Sequence, residues 1–261
     1  MSLTGKTKSN TYKDLLQMNN SNNGVDTSTR RVVDGEGTFS ALQISDDAVK
    51  VSPNDDNTTT TFVVVDNSNN GKFTVDTTNS LVKAGTGLHI VNTQIKEFCM
   101  SASSANPDTT NTWTALQSNQ CALAADIEMG TGSTPTTTLT ISATASATVQ
   151  HLWYVPLNIT IDSCNVWFGA DAADGDTVKF SVMSYTIDSS NGTTGGDLSS
   201  GTEVCVSPST IAGAGREQAY YQALTVSSAD VDAGKVIMAC VHQDGTNADL
   251  TINMQLIYHL R

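Results

Sequence analysis

Strict alternation of apolar and polar residues is the clearest pattern in this sequence, and it lies at the C-terminal end. Between Leu250 and Leu260 every even-numbered residue is apolar or aromatic, whereas Thr251, Asn253 and Gln255 stand between them. Successive side chains of a strand point to opposite faces, so this pattern places the two kinds of residue on different faces. It predicts a strand with one face in a core and the other in solvent.

Other runs of strand-forming residues precede this one after residue 125. They are Thr137–Ala143, Val149–Val155, Ile159–Phe168, Thr177–Ile187, Thr202–Val206, Glu217–Val226 and Lys235–His242. Turn residues separate the runs, and a helical period of apolar residues is almost absent. The pattern predicts an all-β fold in which residues 126–261 form a jelly-roll-like β-sandwich or another Greek-key arrangement, the knob of the molecule.

Shorter strand-like runs, separated by turn residues, occupy the N-terminal half. The pentapeptide Asn-Ser-Asn-Asn-Gly occurs there twice, at 20–24 and at 67–71. Asn-Gly is a strong hairpin signal because both residues tolerate the positive φ of the primed turns. We therefore expect a meander of β-hairpins over residues 19–97.

The N-terminal runs are too short and too polar to enclose a large core alone. Small domains without disulfides or a metal are commonly stabilised by association, which also closes exposed sheet edges. Residues 19–97 are therefore predicted to form an oligomeric shaft. Residues 98–125 are rich in Ser, Asn, Thr and Ala and contain Pro107, so we interpret them as a linker anchored by Trp113 and Leu116.

A short apolar patch stands out among the polar and basic residues 1–18. Its members are Tyr12, Leu15, Leu16 and Met18. Either one helical turn or an extended segment would fit this stretch. Residues 1–18 are predicted to be an attachment arm, with the four apolar residues as the candidates for the attachment contact.

Charge also separates the two halves of the chain. The formal net charge is −13, and nearly all of it belongs to residues 97–261. An acidic surface repels a phosphate backbone, so we expect no nucleic-acid partner. The sequence has no apolar run long enough for a signal core or a membrane span, so we expect no membrane insertion.

The five cysteines are scattered along the chain, without a Cys-x-x-Cys pair or an associated His spacing. An odd, scattered set argues against a disulfide framework and against a zinc site. Cys164, Cys205 and Cys240 lie in or beside strand-like runs, where a free thiol behaves as a small apolar residue. We expect buried thiols in a protein that folds in a reducing cytoplasm.

The segment from Asp171 to Thr177 offers a candidate metal site. Asp171, Asp174 and Asp176 could surround a calcium ion, but their spacing departs from that of an EF-hand loop. An acidic turn between two strands is the simpler interpretation. We therefore expect neither a bound metal nor another cofactor.

Specific catalytic motifs are missing from the sequence. The four histidines lack metal-ligand spacing, and neither a Gly-x-Ser-x-Gly elbow nor a phosphate-binding loop occurs. A pair of carboxylates for glycoside cleavage is an open alternative, since Glu128, Glu203 and Glu217 could meet in the folded chain. The prediction is a protein without enzymatic activity.

Three pairs of adjacent aromatic residues are the most informative candidates for binding. They are Trp153 with Tyr154, Trp167 with Phe168, and Tyr220 with Tyr221. Neighbours on a strand point to opposite faces, so each pair is predicted to give one ring to the core and one to the surface. The outward rings could form a patch for subunit contacts, which we favour over ordinary packing and over ligand binding.

The stretch from Tyr12 to Ser45, together with Phe73 to Gly87, resembles the N-terminal regions of structural proteins of tailed bacteriophages, particularly marine ones. The segments Trp153 to Tyr185 and Gly215 to Val226 resemble the terminal β-domain of the same virion proteins. The resemblance covers nearly the whole chain and implies a trimeric virion component that assembles in the host cytoplasm. It carries no defined functional residues.

A homotrimeric tail fibre or fibre-like appendage is the function we favour from these observations. A capsid-bound head fibre or decoration protein would have the same fold and differ only in its attachment. A carbohydrate-binding module or depolymerase acting on a host surface polysaccharide is a further alternative, because outward aromatics and acidic loops suit that role.

Overall fold

The chain is all-β. The computed structural model describes residues 16–21, 23–85, 89–91, 93–100, 111–118, 127–141, 145–171, 177–209, 211–212, 217–244 and 249–261. The strands are β1 (Gln17–Met18), β2 (Arg30–Val33), β3 (Phe39–Ile44), β4 (Val49–Val51), β5 (Phe62–Val65), β6 (Gly71–Asp76), β7 (Leu81–Ala84), β8 (His89–Ile90), β9 (Thr93–Met100), β10 (Trp113–Ala115), β11 (Trp153–Tyr154), β12 (Ile159–Asp171), β13 (Thr177–Ile187), β14 (Leu198–Val206), β15 (Ile211–Ala212), β16 (Glu217–Val226), β17 (Asp230–Val231), β18 (Lys235–Gln243) and β19 (Asp249–Leu260). One helical turn, Ala145–Thr148, lies between β10 and β11.

Two compact units divide the chain between Asn92 and Thr93. This division precedes the linker predicted at 98–125, because β9 pairs with β19 and β10 pairs with β18. The C-terminal unit therefore begins within the predicted shaft and includes the described part of the predicted linker. Trp113 and Leu116, expected to be anchors, are both buried.

The N-terminal unit contains two four-stranded antiparallel meanders. Their strand orders are β1-β2-β3-β4 and β5-β6-β7-β8, so each strand pairs with the next one in the chain, as the hairpin signals predict. Met18 was predicted to belong to an attachment arm. It lies in β1 opposite Val32, because its backbone continues the first meander.

In two of these hairpins an aspartate organises the turn, a different one in each. Between β5 and β6, Asp66 Oδ1 accepts hydrogen bonds of 2.9 Å from the backbone N–H groups two and four residues further on. Asp34 makes the same two bonds, also of 2.9 Å, between β2 and β3. The Asp66 turn contains the second pentapeptide. The first pentapeptide lies between β1 and β2, where Asn20 Nδ2 instead donates to Gly24 O at 2.8 Å.

Few apolar side chains are buried in the N-terminal unit. Within its described residues, Val32 and Val33 are the only buried hydrophobic residues. Thr74 and Asp76 are buried as well, and Asp76 accepts hydrogen bonds from the backbone and side-chain amide of Asn79. Local hydrogen bonds, rather than a large core, thus hold the described hairpins.

The described part of the C-terminal unit is a jelly-roll-like sandwich. Eight strands form its two layers: β9, β10, β12, β13, β14, β16, β18 and β19. The first of them pairs with the last, the second with the seventh, the third with the sixth and the fourth with the fifth. A long hairpin that rolls up on itself has this pairing. One layer has the order β16-β12-β19-β9 and the other β10-β18-β13-β14, and a short β14–β16 pairing joins them into one curled sheet.

The main core lies between these layers. It combines side chains from both, such as Phe168 of β12 and Phe180 of β13, whose ring centroids are 5.1 Å apart. β13 and β16 have the predicted bounds, and β19 buries alternate residues from Leu250 to Leu256. Alternation therefore identified these core strands correctly.

A second buried cluster covers the outer side of the β10-β18-β13-β14 layer. It joins Trp113, Met183, Tyr185 and other strand residues to Ile127 and Met129 of the segment that follows β10. Trp113 Nε1 also donates a hydrogen bond of 3.0 Å to Gly132 O in that segment. β18 is consequently buried on both sides.

Two predicted strands are absent or much shorter in the structure. In Thr137–Ala143, the described residues form one isolated bridge, in which Leu139 exchanges two backbone hydrogen bonds with Leu198 of β14, and the Leu139 side chain packs against the second cluster. Val149–Val155 contains only the two-residue strand β11, which pairs with β18.

Candidate binding face

The three aromatic pairs divide between core and surface as their adjacency predicts. Phe168 is buried, and two further rings pack against the main core; these inward residues are Trp153, Phe168 and Tyr220. The outward rings are Tyr154, Trp167 and Tyr221, whose exposed fractions are 56%, 55% and 51%. The pleat of the strand is sufficient to produce this division.

Two of the outward rings contact each other. Trp167 and Tyr221 lie directly opposite on β12 and β16, with ring centroids 4.9 Å apart and ring planes at 48°. The Tyr221 hydroxyl donates a hydrogen bond of 2.9 Å to Asn165 Oδ1. Tyr154 lies on β11, which pairs with β18 of the other layer. The predicted patch of three rings is therefore replaced by one pair and a separate tyrosine, because strand pairing decides which rings meet.

The strand register arranges the outer side of the β16-β12-β19-β9 layer in three rows around this pair. We call these rows the outer face. In order across the strands they are Ala223, Asn165, Gln255 and Glu97; Tyr221, Trp167, Asn253 and Cys99; and Ala219, Gly169 and Thr251. Amides, small residues and two aromatic rings thus share one surface.

The outer face is nearly uncharged although the protein is acidic. Glu97 is the one charged residue in the three rows, and its Oε1 accepts a hydrogen bond of 3.2 Å from Gln255 Nε2. Side-chain amides both donate and accept hydrogen bonds. The face therefore offers two aromatic surfaces flanked by neutral hydrogen-bonding groups.

One of the three acidic metal candidates, Asp171, lies among the described residues. Asp171 is the last residue of β12, and its backbone is opposite Glu217 and Asp249. Asp174 and Asp176 lie outside the described residues. Within the described ranges, no group of three or more His, Cys, Asp or Glu residues could hold a metal ion. The calcium hypothesis for this turn stays untested.

Two of the four attachment candidates lie among the described residues. Tyr12 and Leu15 fall outside the described residues. Leu16 is exposed and Met18 is half-buried in β1. Met18 consequently contributes to the first meander.

The cysteines and histidines with described side chains have structural surroundings. Cys164, Cys205 and Cys240 are buried free thiols, as predicted. A hydrogen bond with Cys205, followed by burial, raises the pKa of Cys164, and burial raises the pKa of Cys240. Thiols protonated in this way are poor nucleophiles. His259 Nδ1 lies 2.9 Å from Asp162 Oδ1, at the bulge where β12 shifts register against β19.

The amides of the outer face and Gly169 were missed as site residues by the sequence reasoning. The alternation in β19 placed Asn253 and Gln255 on the solvent side, which is where they lie. Their position beside Trp167 depends on pairing between strands that are far apart in the sequence, and one strand's pattern does not specify that register.

No known family model matches this sequence, and no curated protein matches it either. Among the described residues, no helix is both long and apolar enough to span a bilayer.

Proposed function

We propose that this chain is a non-enzymatic structural protein of a tailed-phage virion. In this proposal it is a homotrimeric, fibre-like appendage, assembled in the host cytoplasm. Its N-terminal unit associates with other copies, and its C-terminal jelly-roll-like unit is the part displayed. The resemblance of the sequence to phage structural proteins supplies the virion context.

The observation that carries the proposal is the strand β5. All four of its residues, Phe62 to Val65, are large and apolar, and each is 42–46% exposed. β5 is also an edge of its sheet, so its outer row of backbone groups is open to pairing. An apolar edge strand of this kind is an aggregation hazard unless another chain covers it.

The side chains around β5 extend this apolar surface. Phe62 and Val64 share one side of the strand and lie opposite Val75 and Phe73 of β6, which are half-buried. The Phe62 and Phe73 rings contact edge to face at 6.2 Å between centroids. Covering this surface with further copies would supply the hydrophobic burial that the N-terminal unit lacks.

Light scattering on the purified full chain tests the association. We expect the mass of three chains, and we expect Val64→Lys to reduce that mass because it places a charge in the covered surface. Val149→Lys is the matched control, since Val149 is 60% exposed in the C-terminal unit. A monomeric wild-type protein with an ordered N-terminal half would contradict the proposal.

Labelling on phage particles tests the attachment. Antibodies against the C-terminal unit should mark the tail or its fibres. Label confined to the capsid lattice would favour a head fibre or decoration protein instead. A reducing-sugar assay on host polysaccharide tests the absence of enzymatic activity, and sugar release would overturn that part of the proposal.

A further inference from the structure

We propose that the outer face binds a neutral carbohydrate. Trp167 and Tyr221 would stack on sugar rings, while Asn165, Asn253 and Gln255 would hydrogen-bond to sugar hydroxyls. This inference goes beyond the structural role proposed above. All of its residues belong to one chain, so it does not depend on the oligomeric state.

The aromatic pair provides the stacking surface. Both rings are about half exposed, and they lie opposite each other on the paired strands β12 and β16. The face of an aromatic ring carries partial negative charge, which attracts the weakly positive C–H groups on the apolar side of a sugar ring. Because the two rings are tilted by 48°, they offer two apolar surfaces at an angle.

Small residues leave room for a ligand beside the rings. Gly169, Ala219, Ala223 and Thr251 surround the pair on the neighbouring strands and rows. A Cβ atom added at Gly169 would meet no atom within 4 Å. The small side chains leave open space beside the two rings. A sugar in that space could contact both the aromatic surface and the amides.

The polar groups of the face match a neutral ligand. A sugar hydroxyl both donates and accepts, and each side-chain amide supplies both functions. The bond from Tyr221 to Asn165 Oδ1 fixes the tyrosine hydroxyl against the amide. Phosphates and polyanions are bound chiefly by Arg and Lys, and the rows contain neither. Glu97 adds a negative charge that disfavours anionic polymers.

A second copy of the chain fits this face less well than a carbohydrate does. The fully buried centre of a protein interface is depleted in polar groups, and every amide buried there must find a partner. Here the two rings stand among Asn165, Asn253 and Gln255. Among the described residues, the longest unbroken run of exposed large apolar residues is instead β5.

Binding of the full chain to neutral polysaccharides tests the proposal. Dextran, mannan and galactan serve as probes, alginate serves as the anionic comparison, and affinity electrophoresis is the readout. We expect binding to at least one neutral polymer, and we expect Trp167→Ala to weaken it at least about tenfold by removing a stacking surface. Tyr154→Ala is the matched control, because that ring is equally exposed on the other layer.

Two further variants separate a binding site from a fold defect. Gly169→Val fills the open space beside the rings with a side chain that strands favour. It should therefore weaken binding while thermal unfolding stays unchanged. Val64→Lys should leave binding of a trisaccharide from the same polymer unchanged in calorimetry, whatever it does to the oligomer. Failure of the association proposal is then distinguishable from failure of this one.

Three results would overturn the inference. The first is no binding to any of the neutral probes, or preference for alginate. The second is binding that Trp167→Ala and Gly169→Val leave intact. The third is a lower oligomer mass of Trp167→Ala in light scattering, which would assign the face to a subunit contact.

Discussion

Both units of this chain consist of antiparallel hairpins, yet different interactions hold them together. The C-terminal unit buries two hydrophobic clusters, one between its layers and one outside them. The N-terminal unit relies on turn carboxylates and backbone hydrogen bonds, with Val32 and Val33 as the buried hydrophobic residues of its described part. Strand content alone does not distinguish the two.

Strand length does distinguish them. β13 and β19 have 11 and 12 residues, whereas β4 and β5 have three and four. A long strand supplies several inward side chains to one cluster, and hydrophobic stabilisation grows with the apolar area that is buried. Short hairpins expose most of what they carry, so a unit made of them benefits more from partner chains.

A cavity in the main core should produce the largest effect. Phe180 is fully buried and contacts Phe168. We expect Phe180→Ala to lower the free energy of unfolding of the C-terminal unit by about 3–5 kcal/mol. Urea unfolding followed by tryptophan fluorescence measures this unit alone, because all three tryptophans follow residue 112.

The control is Phe39→Ala in the N-terminal unit. Phe39 is 46% exposed, so its truncation leaves no closed cavity there. We expect no change in the tryptophan-detected transition. If Phe180→Ala cost as little as a surface substitution, the contrast between a core-stabilised unit and a turn-stabilised unit would fail.

Much of this contrast is predictable from the sequence. β16 has the predicted bounds, because a half-buried strand repeats its apolar positions with a period of two. β13 and β18 are also strands where the sequence predicts them, but the pattern does not show that a second cluster covers the outer side of their layer. The segment from Ile127 that covers this layer is rich in Thr and Gly and has no apolar period. A second core is therefore hard to predict from pattern alone.

The candidate site was predictable only in part. The outward direction of Trp167 and Tyr221 follows from the pleat, but their meeting requires the pairing of β12 with β16. The repeated pentapeptide likewise does not predict which turns are alike. The turn that matches Asp66 is headed by Asp34, not by the first pentapeptide, because the carboxylate accepts the backbone N–H groups.

Acid should produce a smaller effect, directed mainly at the N-terminal unit. A hydrogen bond from the Asn70 backbone, followed by one from Lys72, lowers the pKa of Asp66 from 3.8 to about 2. The pKa of Asp34 is lowered too, chiefly by the Thr38 backbone. A carboxyl group whose pKa is lower in the folded state than in the unfolded state stabilises the folded state at any pH above its unfolded-state pKa. This stabilisation is lost as the pH falls through the folded-state pKa.

Stability of the N-terminal unit should therefore decline between about pH 4 and pH 2. Far-UV circular dichroism should show the loss before tryptophan emission changes. Asp188 and Asp244 also have lowered pKa values in the C-terminal unit, but its core opposes their effect. Asp66→Asn keeps the shape of the turn without this titration, so it should flatten the acid dependence. Simultaneous loss of both signals in the wild type would contradict the prediction.

Thiol labelling should show the smallest change, and this makes it a sharp test of independence between the units. All five cysteines follow residue 98, so labelling reports on the C-terminal unit only. In a Cys121→Ser protein we expect Cys99, the half-buried thiol of the outer face, to react slowly with Ellman's reagent, because burial raises its pKa. Cys164, Cys205 and Cys240 should stay unreactive at urea concentrations that melt the N-terminal unit, since their access requires the sandwich to open. A second reactive thiol appearing together with the first loss of circular dichroism would mean that the core and the hairpins unfold as one.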